Sequence, residues 1–457
     1  MSTDFTRQVA EFIAEMDYAG LSPLAVSAAK DVVLDAIGVA LAGSREEDAE
    51  IVAALAREDG GEPVSTVIGH GFRTSAAQAA LVNGVAVHAL DFDSSFVMMG
   101  QPMAGLVPAV LALAEPCEAS GAQVLSAYAT GYEVAARIAR CMPDNVEELG
   151  WHSTATLGSF GCAAAAANLL GLNTVQTQTA LGIVSSMASG LVSNFGTMSK
   201  PLHAGLAARN GVQAARLAQR GFSGNLSALE PAGGFFDAFA HGSSLDLSPL
   251  TQMGRPFEVE RGVRFKPYPC GGLTHSAIDA ILELRSEHRL TAEQIDRIDV
   301  SVTRHTAHRI VFQTPETGIQ GKFCLPYIIA RAVIDGALMP DSFTDNAVRD
   351  PEILTLASRV KMTSDPSLDG AVPGGRPAVV AVTLMNGQTL ERRVDFARGG
   401  IQRPLSHTDL REKFTLCARR VLNESSAQRL LQNLDDLEHV DHVSNVTELI
   451  QGPRDGG

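Results

Sequence analysis

The sequence has few residues that could crosslink the chain or bind a metal. Its six cysteines are scattered, and none forms the CxxC pair or the short spacing that is typical of metal sites and disulfide frameworks. The HExxH pattern of zinc enzymes is missing, and so is the three-cysteine arrangement of an iron–sulfur hydratase. We therefore expect reduced thiols in a cytoplasmic protein that uses neither a metal nor another cofactor.

Positive charge is also scarce. The 36 Lys and Arg residues face 51 Asp and Glu residues, which gives a formal net charge of -15, and no basic cluster is visible. Because nucleic-acid binding needs clustered cations, no nucleic acid is expected as a partner. The longest small-apolar run, FGCAAAAANLLG, is well short of the ~20 residues that span a bilayer. The N-terminus lacks the basic-then-apolar order of a signal peptide, so no membrane role is expected either.

Several common ligand and nucleophile motifs are absent as well. There is no Walker loop and no strand–GxGxxG–helix unit, so the sequence does not indicate phosphate or dinucleotide binding. No GxSxG elbow marks the nucleophile of a hydrolase. What remains is acid–base chemistry by lysine, histidine, aspartate and tyrosine on an anionic substrate.

Helical patterns dominate the first 260 residues. At 457 residues the chain is too long for one ordinary core, so we expect two domains. An apolar stripe at helical spacing begins at Phe5, and Ser22 and Pro23 supply an N-cap and a first-turn proline for a second helix that ends at Gly43. Their frequent alanines let helices approach closely, which favours a helical bundle. Further helices are predicted at 75–90, 106–114, 122–140, 158–170, 174–189 and 201–220.

Strand patterns begin near residue 290. Ile298, Val300 and Val302 alternate with polar residues, as in a half-buried strand. Two extended runs flank Asn386 and Gly387, the dipeptide that a type I′ hairpin turn favours because both central residues take a positive φ.

These patterns predict the domain organisation. Together with helices at 273–287 and 327–334, the strands indicate a smaller α+β domain at 263–397. The remaining residues, 1–262 and 398–457, form a helical domain on which the C-terminal tail packs back. The expected fold is therefore mainly α.

The stretch HALDFDSSFVMMGQP at 88–102 places an imidazole, two carboxylates and two hydroxyls in an Ala- and Val-rich region. If the preceding helix ends just before it, Asp91 lies near a helix C-terminus, where the helix dipole favours the protonated form of a carboxyl group. Such a group can shuttle a proton. The alternative, which spacing alone favours, is that Asp91, Asp93, Ser94 and Ser95 only cap and turn the chain.

Two further stretches place lysine and histidine beside helix starts. In NFGTMSKPLHAGLAARNG, Pro201 is a natural first helical residue, which puts Lys200 at the cap and His203 in the first turn. Lys200 could bind an acid group there or act as a base; the alternative is an exposed lysine on a surface helix. In GWHSTATLGSFG, His152 precedes a poly-Ala helix, where a structural histidine is the more common case.

The fourth stretch, KPYPCGGLTHSAIDA, has the pattern of an anion site. Gly271 and Gly272 free backbone N–H groups, and Thr274 can cap a helix that starts at His275. An imidazole would then lie at the lip of a helix N-terminus.

These four stretches and GKFCLPYIIARAVIDG at 321–336 resemble the MmgE/PrpD family, and the similarity covers essentially the whole chain. This family contains 2-methylcitrate dehydratases, cis-aconitate decarboxylases and iminodisuccinate epimerases. The resemblance implies a large all-helical domain, a smaller α+β lid, and a homodimer with the active site between the two domains. It also implies a small polycarboxylate as substrate.

The candidate site residues follow from the stretches and the resemblance together. The predicted catalytic residues are Asp91, His152, Lys200, His275 and Tyr327, the last of which only the resemblance indicates. The predicted substrate-binding residues are Ser95, Gln101, His203, Lys266 and Thr274.

Gln101 departs from the pattern of the family. Many members, including the decarboxylases, carry His-Pro where this chain has Gln101 and Pro102. Glutamine can hydrogen-bond a carboxylate or hydroxyl, but it cannot exchange a proton near neutral pH. Gln101 therefore speaks against decarboxylation and leaves dehydration and epimerisation open.

The predicted function is a lyase that moves a proton at the carbon next to a carboxylate of a small di- or tricarboxylate, as in dehydration. One base among His152, Lys200 and Asp91 removes the proton, and Tyr327 or His275 handles the second one. Epimerisation of a dicarboxylate and decarboxylation of the cis-aconitate type are the enzymatic alternatives. A catalytically silent family member that binds a carboxylate is the alternative from another class.

Overall fold

The computed structural model describes residues 4–96, 100–101, 104–142, 146–147, 149–243 and 245–452. Pro102, the second residue of the Gln-Pro departure, lies outside the described residues. The chain forms two units, Met1–Arg264 with Ser406–Gly457, and Phe265–Leu405. In the part of the chain that is described, no helix is long and apolar enough to cross a membrane.

The first unit is built from helices. The predicted cap of its second helix is confirmed, because Ser22 accepts a hydrogen bond from the Ala25 N–H and Pro23 is the first helical residue. A short antiparallel ribbon of β1 (Ser65–Thr66) and β2 (Arg73–Thr74) interrupts the helices. The helices are α1 (Phe5–Glu15), α2 (Pro23–Gly43), α3 (Glu47–Asp59), α4 (Ala76–Ala89), α5 (Leu106–Ala114), α6 (Gly121–Cys141), α7 (Ser153–Leu169), α8 (Thr174–Ser185), α9 (Ser199–Gln219) and α10 (Phe235–Ala240).

Helix α7 begins at Ser153, well before the predicted start at 158. The hydroxyl residues in its first turns donate to carbonyls four residues back. Thr156 Oγ1 lies 3.1 Å from His152 O, and Ser159 Oγ lies 2.7 Å from Ala155 O. Because these hydroxyls are satisfied inside the helix, they do not end it.

Two other helices differ from the sequence prediction. Helix α8 ends at Ser185 rather than at 189. After Ser185 the hydrogen bonds span three residues instead of four, since the Ser186 N–H donates to Ile183 O over 3.2 Å. Helix α3, with acidic residues in its first turn, is absent from the prediction although such residues favour a helix N-terminus.

The second unit holds a four-stranded sheet with the strand order β4–β3–β5–β6. Strand β3 pairs in parallel with β4 and antiparallel with β5. The predicted alternation in β3 is confirmed, because Ile298, Val300 and Val302 are buried in one apolar core with residues of α11 and α14. The elements are α11 (His275–His288), β3 (Ile295–Val302), α12 (Arg304–Arg309), α13 (Gly318–Gly321), α14 (Leu325–Asp335), α15 (Pro351–Ala357), β4 (Val360–Ser364), β5 (Ala378–Leu384) and β6 (Thr389–Val394).

The hairpin between β5 and β6 exists as predicted, but its turn is not type I′. Gly387 has a φ of 85°, whereas Asn386 does not have the positive φ that a type I′ turn needs at both central residues. The Gly387 N–H donates to Leu384 O, and the Leu384 N–H donates to Gln388 O, both over 2.8 Å. The loop is therefore one residue longer, with glycine in its left-handed position.

The C-terminal tail belongs to the first unit and adds α16 (His407–Ala418), α17 (Glu424–Asp435) and α18 (Ser444–Ile450). Helix α16 packs on α2, where a Cβ on Gly38 would lie 3.0 Å from the Phe414 ring. The tail therefore packs on the helical unit, and the fold is mainly α, as the sequence predicts.

Two glycines set the distance between α4 and α9, the helices that carry His88 and Lys200. A Cβ on Gly84 would lie 2.6 Å from Gly205 Cα, and a Cβ on Gly205 would lie 2.3 Å from Leu81 O. Both distances are too short for a carbon atom, so the two backbones touch only because neither residue has a side chain.

We expect Gly205→Ala to separate these two helices. Overpacking at such a contact costs about 1–3 kcal/mol of unfolding free energy, and the shift would move Lys200 away from His88. Urea unfolding together with an activity assay would measure both effects. Gln213→Ala, at an exposed position of the same helix, is the control and should leave both unchanged. A fully stable, fully active Gly205→Ala protein would contradict the packing that we describe.

Candidate active site

Helix α4 ends two residues before Asp91. The helix spans Ala76–Ala89, and Asp91 has a φ of 50°, a left-handed conformation that is uncommon outside glycine. The chain turns sharply there, and Asp91 and Asp93 are both buried, with exposed fractions of 4% and 2%. The predicted place of Asp91 at a helix C-terminus is confirmed. Two buried carboxylates in a sharp turn need partners, because an unpaired buried charge is costly.

Lys200 supplies the positive charge. Its Nζ lies 2.6 Å from Asp91 Oδ1 and 2.9 Å from His88 Nε2, and only 5% of the residue is exposed. The alternative of an exposed surface lysine is therefore wrong. The predicted cap position is also wrong, because α9 begins at Ser199 and Lys200 lies within its first turn. Pro201 fits there since the first N–H groups of a helix have no helical partner.

His88 and Asp93 belong to this cluster, although neither is among the residues predicted to be catalytic or substrate-binding. The His88 Nδ1 atom lies 3.1 Å from each carboxylate oxygen of Asp93. Burial lowers the pKa of His88 despite the opposing charge of Asp93, so the ring is neutral. A histidine in the last turn of a helix with an aspartate five residues later was the available signal. Because the neighbours of His88 in the sequence are apolar, His88 resembles a core histidine there.

His152 and His203 form a second pair in the same unit. Their Nδ1 atoms lie 2.9 Å apart, and the His152 ring stacks on His88 with 6.0 Å between ring centroids. Burial lowers the pKa of both rings, that of His203 to about 4. One Nδ1 must donate and the other accept, so one ring has an unprotonated Nε2 and the other an Nε2–H. The pair therefore combines a proton acceptor and a proton donor without net charge.

Gln101 and Ser95 lie in the loop that follows Asp91. Gln101 is buried, and its Nε2 lies 3.5 Å from Asp91 Oδ1, a long hydrogen bond. Ser95 pairs through its backbone with Arg264, with N–H···O distances of 2.7 and 3.0 Å. The loop thus adds a neutral amide beside the carboxylate that pairs with Lys200.

The second unit contains the residues that are predicted to form an anion site around His275. Helix α11 begins at His275 as predicted, but Thr274 does not cap it with its side chain; its hydroxyl donates to Gly271 O over 2.8 Å instead. The Gly271 N–H is engaged with Lys322 O over 3.0 Å, so it is not available to an anion. The His275 Nε2 atom lies 3.3 Å from Cys270 O. Lys266, nine residues earlier in the chain, is buried.

Tyr327 lies in the apolar core of the second unit. It is on α14, and its hydroxyl donates to Ser342 O. Burial raises the pKa of Tyr327 to about 12. The phenol therefore keeps its proton at neutral pH, and it would have to leave Ser342 to transfer that proton to a substrate.

Comparison with known families identifies the chain. The MmgE/PrpD N-terminal domain matches residues 7–248, and the MmgE/PrpD C-terminal domain matches residues 268–439. The chain belongs to the MmgE/PrpD family.

Curated relatives within the family are lyases. Cis-aconitate decarboxylase of Mus musculus is 30% identical over 93% of this chain and 88% of the relative. The enzyme of that name from Homo sapiens is 29% identical over 99% of this chain and 96% of the relative. 2-Methylcitrate dehydratase of Escherichia coli K12 is 25% identical over 80% of both chains.

In this MmgE/PrpD chain, the structure brings half of the predicted site residues into one cluster of the helical unit: Asp91, Gln101, His152, Lys200 and His203. Ser95 follows in the same loop. The other predicted residues belong to the second unit: Lys266, Thr274, His275 and Tyr327. Their part in a common site with Lys200 stays a prediction.

The cluster also has the donor types of a metal site. One ligand atom each from His88, Asp91 and Asp93 lies within 4.8 Å of the others. However, the Lys200 ammonium contacts two of these three residues, and its charge would repel a divalent cation in the same place. The arrangement fits acid–base chemistry better than metal binding.

Proposed function

We propose that this protein is a lyase that acts on a small tricarboxylate of the aconitate or methylcitrate type and needs no cofactor. The observation that carries the proposal is the buried Lys200 ammonium, held between Asp91 and His88 in the unit that also holds the His152–His203 pair. A buried cation at the start of a long helix is a suitable partner for a substrate carboxylate. Its relatives, which are named for cis-aconitate and 2-methylcitrate, support the substrate class.

The chemistry requires a proton to leave the carbon next to a carboxylate. Its removal transfers negative charge to the carboxylate oxygens, as in an enolate. Lys200 would stabilise that charge, and one such donor typically contributes about 10²–10³ in rate. A fixed, buried cation does this better than water because it need not reorganise.

The two imidazoles provide for the second proton. Because His152 and His203 share one Nδ1 proton, their Nε2 atoms differ in role: one accepts a proton and the other donates one. In dehydration the C–H bond breaks, the C=C bond forms, and the hydroxyl leaves as water with the donated proton. A donor and an acceptor in one site meet that requirement without external reagents.

Among the lyase reactions we propose dehydration first. Gln101 lies beside Asp91 where the resemblance places a histidine in the decarboxylases, and an amide cannot deliver a proton to carbon after CO₂ leaves. Decarboxylation is the second candidate, since cis-aconitate decarboxylases match nearly the full chain. Epimerisation of iminodisuccinate is a third option. The proton donor and the proton acceptor of the His152–His203 pair allow it, but no curated relative described above supports it.

The proposal is tested by incubating the protein in D₂O with 2-methylcitrate, citrate, cis-aconitate and iminodisuccinate, followed by NMR. Loss of water from a hydroxy acid supports dehydration, and loss of CO₂ from cis-aconitate supports decarboxylation instead. Carbon–deuterium exchange without net reaction would indicate epimerisation. Binding of these acids without reaction or exchange would contradict the lyase and point to a silent carboxylate-binding protein.

Gln101→His tests whether Gln101 is the reason that dehydration is favoured over decarboxylation. We expect the variant to decarboxylate cis-aconitate about tenfold or more faster than the parent, because an added acid–base group contributes at least that much when it is well placed. Gln101→Asn, which adds no titratable group, should not do so. An unchanged ratio of decarboxylation to dehydration in Gln101→His would remove Gln101 from the argument.

A further inference from the structure

We propose that His88 and Asp93 are positioning residues for Lys200: His88 accepts the proton of Lys200 and so makes its amine available as the base, and Asp93 orients His88. This inference rests on the proposed function and names its base. It concerns a pair that lies behind Lys200 and has no place among the site residues implied by the sequence.

The contacts define the direction of each hydrogen bond. A lysine ammonium can only donate, so His88 Nε2, 2.9 Å from Lys200 Nζ, carries no proton. The proton of the neutral ring therefore lies on Nδ1, where it points at both oxygens of Asp93 at 3.1 Å. Asp93 thus fixes the tautomer, and the unprotonated nitrogen faces Lys200.

The proton step balances within the cluster. Lys200 passes a proton from Nζ to His88 Nε2, and the imidazolium that forms is paired with Asp93. The free amine then takes the proton from the substrate carbon. That proton passes to the leaving hydroxyl through the His152–His203 pair, which accepts at one Nε2 and donates from the other, and the hydroxyl departs as water. His88 finally returns its proton to Lys200, so no proton has to come from solvent. The same order of groups, a carboxylate that orients an imidazole and an imidazole that takes a proton from a reacting side chain, activates the nucleophile in catalytic triads.

The surroundings of His88 are mixed in charge and closed to water. His88 and Asp93 are 1% and 2% exposed. Burial lowers the pKa of His88 and the charge of Asp93 opposes this effect, so the proton stays on His88 only briefly and depends on Asp93 while it is there. Among the described residues, the titratable or charged groups around His88 and Lys200 include Asp91 and Asp93 after α4, His152 before α7 and His203 on α9. Behind Asp93 they include Asp35 on α2 and Lys413 on α16.

His88→Gln separates proton acceptance from hydrogen bonding, because glutamine can accept from Lys200 and donate to Asp93 but cannot hold a proton. We expect kcat to fall about 10²-fold at neutral pH with KM changed less than threefold, the size of an acid–base contribution. The shape of the pH profile should change as well. In the variant kcat should rise with pH more than in the parent, because the proton of Lys200 must then leave to solvent instead of to His88.

Asp93→Asn is the second variant and should give a loss of about 10²–10⁴-fold in kcat, since an amide can favour the wrong tautomer of the ring. His442→Gln, at an exposed position of the same unit, is the matched control and should behave like the parent. A uniform loss in His88→Gln with an unchanged pH profile, or no loss at all, would overturn proton acceptance by His88.

The tautomer can be measured without any substrate. In the full-length protein with ¹⁵N-labelled histidine, NMR should show His88 as the neutral Nδ1–H form, and its assignment follows from the signal that His88→Gln lacks. An Nε2–H form would overturn the inference even if the protein is an active lyase. Conversely, inactivity on every substrate combined with the Nδ1–H form would refute the proposed function and leave the His88 geometry standing.

Discussion

Replacing Lys200 with methionine should lower kcat/KM at least about 10³-fold. The variant loses the charge that binds the substrate carboxylate and the amine that moves the proton, and each of these contributes about 10²-fold or more. Steady-state kinetics on the substrate found by the NMR panel measure this directly. Lys361→Met, at an exposed lysine of β4, is the matched control and should retain full activity.

Lys200→Arg is a control that separates loss of the base from loss of folding. Arginine keeps the positive charge beside Asp91 but cannot act as a base at neutral pH. We expect substrate binding to survive in part while kcat falls nearly as far as in Lys200→Met. If the arginine variant turned over at the parent rate, Lys200 would be a binding residue only, and the base would have to be sought in the His152–His203 pair.

A second large effect is expected behind the site, at Lys413. Its Nζ lies 2.7 Å from Asp35 Oδ1 and 2.7 Å from Phe92 O, in the segment that carries Asp91 and Asp93. Lys413→Met leaves Asp35 buried without its cation, and breaking a buried pair in this way costs about 3–5 kcal/mol of unfolding free energy. Urea unfolding at neutral pH measures it. Activity should fall too, because Phe92 loses its anchor.

The pH dependence gives this stability prediction a sign. Burial raises the pKa of Asp35 even with Lys413 present, and without Lys413 it rises further. The folded state then binds a proton that the unfolded state has lost, so the unfolding free energy falls as pH rises through the window between the two pKa values. The deficit of Lys413→Met should therefore shrink towards acid pH.

A double variant controls for the size of the side chains. Asp35→Leu combined with Lys413→Met removes both charges, and apolar replacement of a buried pair is often neutral or better. We expect it to recover most of the stability. A double variant as unstable as Lys413→Met would show that packing, not the unpaired carboxylate, causes the loss.

Local sequence signals predicted most of the helices because their causes are local. The Ser22 cap with Pro23, and the apolar run of α5, need no tertiary information. The start of α7 was misjudged because Thr156 and Ser159 can bond either to a turn or to their own helix, and only burial decides between these. The predicted type of the β5–β6 turn was wrong for a similar reason: Asn386 and Gly387 permit a type I′ turn but do not require it.

The candidate site was predictable in parts but not as a unit. Asp91 and Lys200 are separated by more than a hundred residues, and their contact depends on the close approach of α4 and α9 at Gly84 and Gly205. His88 could not be distinguished from a core histidine, because its role follows from contacts with Asp93 and Lys200 that no local pattern shows.

The central claim is that the Lys200 cluster binds a tricarboxylate. Tricarballylate tests it most directly, because this acid has three carboxylates but neither a hydroxyl nor a double bond with which to react. In isothermal titration we expect it to bind the parent protein and Lys361→Met equally, and to bind Lys200→Met about 100-fold more weakly, as truncation of a buried charged partner costs 2–5 kcal/mol, or roughly 30-fold and more. Equal affinity for the parent and Lys200→Met would contradict the account.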